Sequence, residues 1–564
     1  MRFALILALL VSAAATADLY GEELLLRPLS DGKVMALFTF EIEGVLPGFQ
    51  HQHSYTNKTQ IEHFQLYPRD MGQIMTRYRL EELQLDFTQG RWDYDRWGQP
   101  PVNAAASGVF LSALLQNTTS VDQDWIGLTN TLSGKFCASL NFLDKTKTTT
   151  SAIVFPVSSP SHVVRRFGRL PREIACTENL TPWIKLLPCT SKAGLASLLN
   201  AYKIYGANYN SMTIQVSSKC EGLCHQRDTI LKLQLLVVMD IVRNSKGKVS
   251  ADLPVWSLSS LFDRNMTQKC SAASISRLLV EKMGAGDIVS PAADAVIGTK
   301  SNRYLTWSVY DLLKRKVADI SWTRTSQPKA DAWTSSTISV ERHLTGYGEE
   351  RGGIVVRFVN RSPRTITVLY YDSLPWFVKA YMHTLKFSVD SHPRPDILKQ
   401  FVFQPAIDRQ RPLVLELEAE LPPKAVTEMR FDFDKVLLRY TEYPPDANRG
   451  FDIGSATVLV KSGLDKDLHR TMWTMSVQQR AKLTAFNLVD DSTEEALRIE
   501  SRNVLLSLPA PDFSMPYNVI TLSSTVIALF FGSVFNLLVR SYQPVTPDEA
   551  AGMLGKLKKK FVAR

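Results

Sequence analysis

From Gly353 onward, apolar and polar positions alternate with the two-residue period of half-buried strands. Ile354-Val-Val-Arg-Phe-Val359, Thr365-Ile-Thr-Val-Leu-Tyr-Tyr371, Leu413-Val-Leu-Glu-Leu-Glu-Ala-Glu420 and Met429-Arg-Phe-Asp-Phe-Asp434 are short and rich in β-branched, aromatic or other apolar residues. Turn signals separate them: Asn360-Arg-Ser-Pro363, Pro422-Pro423 and Pro444-Pro445. Strands of this length and spacing predict an antiparallel sandwich over residues 335–508. The preceding 18–334 is more mixed but still mainly β. Ala36-Leu-Phe-Thr-Phe-Glu-Ile42, Leu83-Gln-Leu-Asp-Phe87 and the start of Ile230–Val238 read as strands. Residues 193–202 and 274–283 read as helices. The fold class expected is mainly β, with β-sandwich-type domains, some helices and one carboxy-terminal transmembrane helix.

The two ends break this pattern. Arg2 is followed by a mostly apolar run from Phe3 to Ala14 and then Ala15-Thr16-Ala17, the layout of a signal peptide cleaved before Asp18. The run is too short to span a bilayer. Residues 517–539 carry no charged side chain. As a helix rising ~1.5 Å per residue, they cover the ~30 Å hydrocarbon core. Arg540, Lys556, Lys558, Lys559, Lys560 and Arg564 follow, against only Asp548 and Glu549, which places the 540–564 tail in the cytosol. The expected topology is single-pass type I with the bulk of the chain luminal. A proline-bearing linker, 509–516, stiffens the join to the helix. A hydrophilic basic tail beyond the apolar segment also argues against a GPI-attachment signal, which ends in its apolar stretch.

Charge adds one exclusion. The net charge is +10, but the tail supplies +4 of it, and no basic run or aromatic-interleaved patch marks the rest. A nucleic-acid partner is not expected.

Candidate chemistry is sparse. There is no G-x-S-x-G elbow, no H-E-x-x-H helix, no phosphate loop and no caspase-type context around any cysteine. Gly346-Tyr-Gly348 with Gly352 precedes a strand and reads as a turn. His51-Gln-His53 lacks a nameable third ligand, so no metal site or cofactor is assigned. The Glu349-Glu350 and Asp490-Asp491 pairs read as solvated faces. No catalytic residue is expected.

Five sequons lie on the expected luminal side: Asn57, Asn117, Asn179, Asn265 and Asn360, the last followed by Pro363. Asn179 sits between Cys176 and Cys189. A glycan acceptor must be at a surface, so Cys176, three residues away, is expected near that surface, where a cysteine can bond to another chain. A bond from Cys176 to Cys189, closing a small loop, is the alternative. Cys220 and Cys224 are close enough for a local disulfide, and Cys189 with Cys270 is a second candidate pair. That leaves Cys137, in the apolar context of Phe136 and Leu140, as a buried thiol. Within the apolar helix, Gly532 and Ser533 permit close approach of another helix, and Asn536 is a polar group in hydrocarbon that needs a partner.

Several long segments resemble the PIG-T family of GPI transamidase subunits. They include Phe87-Thr-Gln-Gly-Arg-Trp92, Leu132-Ser-Gly-Lys-Phe-Cys-Ala-Ser-Leu-Asn-Phe142, Leu170-Pro-Arg-Glu-Ile-Ala-Cys-Thr-Glu-Asn-Leu-Thr-Pro-Trp183, Tyr440-Thr-Glu-Tyr-Pro-Pro-Asp-Ala-Asn-Arg-Gly-Phe451 and Pro509-Ala-Pro-Asp-Phe-Ser-Met-Pro-Tyr-Asn-Val-Ile520. The resemblance implies a non-catalytic endoplasmic-reticulum subunit that stabilises a caspase-like catalytic partner and works with other membrane subunits. The complex joins precursor proteins to a GPI lipid. It further implies that Cys176, matching the family's cysteine in C-T-E-N-L-T-P-W, is disulfide-linked to that partner. A type I adhesion or receptor ectodomain is the alternative from topology alone, and a luminal enzyme of unrecognised type is a third.

Overall fold

The structure is a computed structural model that describes residues 18–47, 64–156, 162–219, 226–241, 255–282, 287–298, 303–315, 319–324, 336–346, 350–444, 446–462, 475–481, 497–509 and 514–541, with short pieces at 552 and 555–556. The segment 1–17 expected to be a signal peptide, His51, His53, Asn57, Cys220 and Cys224 lie outside these residues.

Strands Leu19–Pro28 and Val34–Pro47 form an antiparallel hairpin whose turn is closed at Gly32, which adopts φ 78°. A positive φ is accessible to glycine at little cost, which permits the tight reversal. The hairpin seeds an eleven-stranded sheet. Val34–Pro47 pairs with Gln226–Met239, and the sheet continues through Tyr209–Lys219, Leu80–Gly90, Gly108–Gln116 and Val163–Leu170 to Thr148–Thr149. On its other side Leu19–Pro28 runs parallel to Ile275–Lys282, which pairs with Arg303–Ser308 and then Ala295–Gly298. One face is covered by helices, including Arg69–Arg77, Val121–Phe136 and Thr177–Ile184. Trp183 of the last packs edge-on against Phe40 of the sheet.

Residues 275–282, expected as part of a helix, form this strand instead. Leu278, Leu279 and Val280 are all buried because the strand is paired on both edges and covered on both faces. A continuous apolar run of this kind does not by itself distinguish a buried strand from a helix. The 193–202 region is helical only in pieces: a 3-10 turn at Leu195–Leu198, then a short α-helix at Ala201–Tyr205.

The strands after residue 336 form a sandwich of two five-stranded sheets. One runs Ile338–Thr345, Arg351–Asn360, Ala425–Lys435, Val378–Val389, His392–Pro393; the other Leu398–Gln404, Leu413–Leu421, Ile366–Leu374, Thr457–Ser462, Leu497–Glu500. Alternate positions such as Val356, Phe358, Met429 and Phe431 on one sheet, and Val368, Tyr370, Leu415 and Leu417 on the other, fill the space between them. This is the inward half of each alternating stretch. The same apolar cluster includes Leu25, Met35 and Leu37 from the other face of the large sheet, so strands on both sides of the expected 334/335 boundary share a core.

Polar side chains also join the two β regions. Glu416 of the sandwich accepts from the Ser151 hydroxyl and from the backbone N–H groups of Ala152, Ile153 and Val154 at 2.7–2.9 Å. Arg169 of the large sheet donates to Glu500 at 2.8 Å. The segment 475–481 returns to the large sheet, where Arg480 donates to Glu23 at 2.8 Å and the pair is buried. Val477 fills the space left by the missing side chain of Gly21, where a Cβ would lie 2.5 Å from Val477 Cγ1.

The second compact unit contains Tyr440–Glu442 and residues from Pro509 onward. Its main element is the helix Ser514–Val539, 26 residues and therefore about 39 Å long. Within it, residues 517–539 are long and apolar enough to cross a membrane, and every one of them is exposed.

Candidate functional site

Cys176, just before helix Thr177–Ile184, has an extended backbone at φ −143° and ψ −178°. Ala175 points inward and is buried. Ile174 is 76% exposed, and Cys176 is half-buried. Cys176 is the N-cap of the helix. Its backbone N–H donates to Asn179 Oδ1 at 2.8 Å, and its carbonyl accepts from the Asn179 backbone N–H at 3.1 Å. Asn179 thus performs the back-bonding that Glu or Gln provides in a common helix-start motif.

The Asn179 amide also reaches across to the preceding helix. Its Nδ2 donates to the carbonyls of Phe136 at 2.8 Å and Cys137 at 3.2 Å, where Val121–Phe136 ends in a left-handed residue at Cys137, φ 52°. Tyr205 Oη donates to the Cys176 carbonyl from the other side. Burial, with Cys176 nearby, pushes the Tyr205 phenol above its ordinary range, so it stays a proton donor. Glu173 accepts from the backbone N–H and hydroxyl of Ser139 at 2.9 and 3.0 Å, tying the 137–142 loop to the segment before this helix. Burial and the neighbouring Lys185 push the Lys135 ammonium below its ordinary range.

Cys176 and Cys137 are both free thiols, and Cys137 is exposed. The expected burial of Cys137 is therefore corrected: the left-handed turn that ends its helix directs the chain outward while Phe136 and Leu140 on either side are buried. Cys189 bonds to Cys270, Cα–Cα 5.8 Å, across 81 residues of sequence. The Cys176–Cys189 alternative is thereby excluded in this structure.

Two sequons fall at buried asparagines. Asn179 and Asn360 are each 2% exposed. Asn360 Nδ2 donates to the carbonyls of Arg364, Leu421 and Pro422 at 2.8–3.2 Å, organising the turn after its strand. Neither amide nitrogen is accessible for glycan attachment. The triplet encodes acceptor chemistry but not exposure, and Cys176 is half-buried although Asn179 beside it is buried. Asn117 and Asn265 are exposed.

Along the apolar helix, Gly532 and Asn536 lie four residues apart and share a face with Thr521, Thr525 and Ala528, while Ser533 is turned about 100° from Gly532. The Thr521 and Thr525 hydroxyls donate to the carbonyls of Tyr517 and Thr521 at 2.8 and 2.7 Å. Among the described residues no three His, Cys, Asp or Glu side chains cluster as metal ligands. The sequence reading did not find the exposed Ile174 as a neighbour of Cys176. The alternation of 174–176 about buried Ala175 was the available signal.

A family model described as the Gpi16 subunit, a GPI transamidase component, matches residues 4–255 and 248–563. The chain is 35% identical over 555 residues to the human GPI-anchor transamidase component PIGT, covering 94% of this chain and 92% of that one. It is 30% identical over 613 residues to the Saccharomyces cerevisiae GPI transamidase component GPI16, covering 97% and 93%. Matches collinear over nearly the full length of both chains leave one conclusion: the chain belongs to the Gpi16 family of GPI transamidase components.

Proposed function

We propose that this chain is a non-catalytic subunit of the GPI transamidase that stabilises the caspase-like catalytic subunit during attachment of GPI anchors in the endoplasmic reticulum. Cys176 forms an interchain disulfide with that subunit. The bulk of the chain is luminal, the helix at 517–539 crosses the membrane once, and Gly532 and Asn536 pack on helices of the other membrane subunits. Asn57, Asn117 and Asn265 carry the glycans. No cofactor is used, and GPI lipid and precursor are met through the complex.

The observation that carries this reading is the state of the cysteines in a family of transamidase components. Cys189 and Cys270 are consumed within the chain, while Cys176 is free, half-buried and held at a helix start by Asn179 and Tyr205. An interchain bond there keeps the partner at high effective concentration. Non-reducing electrophoresis of the complex tests it. The wild type migrates as a larger heterodimeric species that collapses with reductant and with Cys176→Ser. Persistence of the large species in Cys176→Ser would overturn the assignment.

A further inference from the structure

The conspicuous segment Tyr440-Thr-Glu-Tyr-Pro-Pro-Asp-Ala-Asn-Arg-Gly-Phe451 has no role in the reading above. Its first turn, the 3-10 helix Tyr440–Glu442, groups with Pro509 and the apolar helix in one compact unit, although some seventy residues separate them in sequence. The turn buries none of its residues. Tyr440 is 44% exposed, and Leu437 just before it is 70% exposed. Tyr517 at the start of the apolar stretch is exposed as well. Tyrosines at the end of a spanning helix suit the headgroup layer, where the ring enters the apolar boundary and the hydroxyl stays wet. Arg439 and Glu442 balance in charge, so a zwitterionic surface suffices and anionic lipid is not required.

We infer that the turn Tyr440–Glu442, with Leu437 beside it, is a second membrane contact, resting in the headgroup layer at the amino-terminal end of the apolar helix. This rests on the reading that 517–539 spans the bilayer. Two contacts at separate points in the sequence hold the turn against the bilayer surface. The occupant is the lipid surface itself. A protein partner covering the turn is the competing outcome.

The test uses the full chain with its partner subunits in nanodiscs of phosphatidylcholine doped with a photoactivatable phosphatidylcholine, with adducts mapped by mass spectrometry. Lipid adducts are expected on the 437–443 peptide and on 517–539. In Leu437→Ser with Tyr440→Ser, adducts on the turn fall about tenfold while those on the helix are unchanged. Adducts on the helix with none on the turn overturn the inference and leave the spanning helix standing. Adducts on neither overturn both. Adducts on the turn that do not fall in the double variant also overturn it, because these side chains then make no contribution.

Discussion

Asn179 Oδ1 accepts the Cys176 backbone N–H at 2.8 Å, so the residue that reads as a glycan acceptor serves as a clamp on the free cysteine. Its Nδ2 is committed in the opposite direction, to Phe136 and Cys137. One buried amide therefore satisfies a helix start, a helix end and the position of a thiol. Asn179→Ala leaves the Phe136 carbonyl and the Cys176 N–H without this partner, and should destabilise the chain by about 1–3 kcal/mol. Denaturation of the purified chain measures this, and a loss below that range would show that water replaces the amide without penalty.

The same burial predicts glycan occupancy. Endoglycosidase-sensitive mass should fall by one glycan in Asn117→Gln and by one in Asn265→Gln, whose side chains are exposed. Asn179→Gln and Asn360→Gln should show no change in glycan mass. A glycopeptide containing Asn179 would contradict the packing described here.

The cysteines should separate into two behaviours. Cys137→Ser leaves both the interchain species and stability unchanged, because Cys137 is free and exposed. Cys270→Ser should cost about 2–5 kcal/mol, since its bond to Cys189 closes 81 residues of chain. Denaturation of the two variants side by side distinguishes these outcomes. Equal midpoints would show that the intrachain bond does not support the fold.

Glu500 provides an acid-dependent link between the two β regions. Burial alone raises a carboxyl group, but here Arg169 and Arg498, with the Ser455 hydroxyl, outweigh it and hold Glu500 at about 2. The pKa is lowered on folding, so the stabilisation is complete above the ordinary value of 4.5 and is lost as pH falls from there through about 2. The gap corresponds to about 3 kcal/mol. Stability should therefore decline over that window, and Glu500→Gln should flatten the decline while costing about 3–5 kcal/mol near neutral pH by leaving Arg169 and Arg498 uncompensated. An unchanged acid profile in Glu500→Gln would refute this role.

In the membrane helix, Gly532→Leu with Asn536→Leu places bulk on the small face and removes its polar group. Recovery of the other transamidase subunits in mild detergent should fall. Ser533→Leu alone, turned about 100° from Gly532, should have less effect. Equal recovery in all three proteins would make the helix a plain anchor.

The apolar stretch at 517–539 and the alternation of 354–359, 413–420 and 429–434 were legible because each is a local pattern with one solution. An uncharged run of that length needs hydrocarbon, and a two-residue period needs a sheet with one covered face. The chemistry of the sequons and the number of thiols were legible too. Their fates were not, since exposure is a property of the assembled molecule. Asn179 and Asn360 are buried because distant backbone carbonyls lie within reach of their amides. Cys189 pairs with Cys270 because the fold brings their Cα atoms to 5.8 Å. The strand at 275–282 shows the same division: its apolar run suits either a helix or a strand, and the parallel pairing with Leu19–Pro28, some 250 residues earlier, selects the strand. The return of 475–481 to bury Arg480 against Glu23 has no local signal, because an arginine's environment depends on which carboxylate the rest of the chain places beside it. Sequence alone thus determined the period, the apolar stretch long enough to cross a membrane and the family. Tertiary structure decided which polar groups are buried, which thiols are free and which residues meet across hundreds of positions, because those depend on contacts between segments that no local pattern encodes.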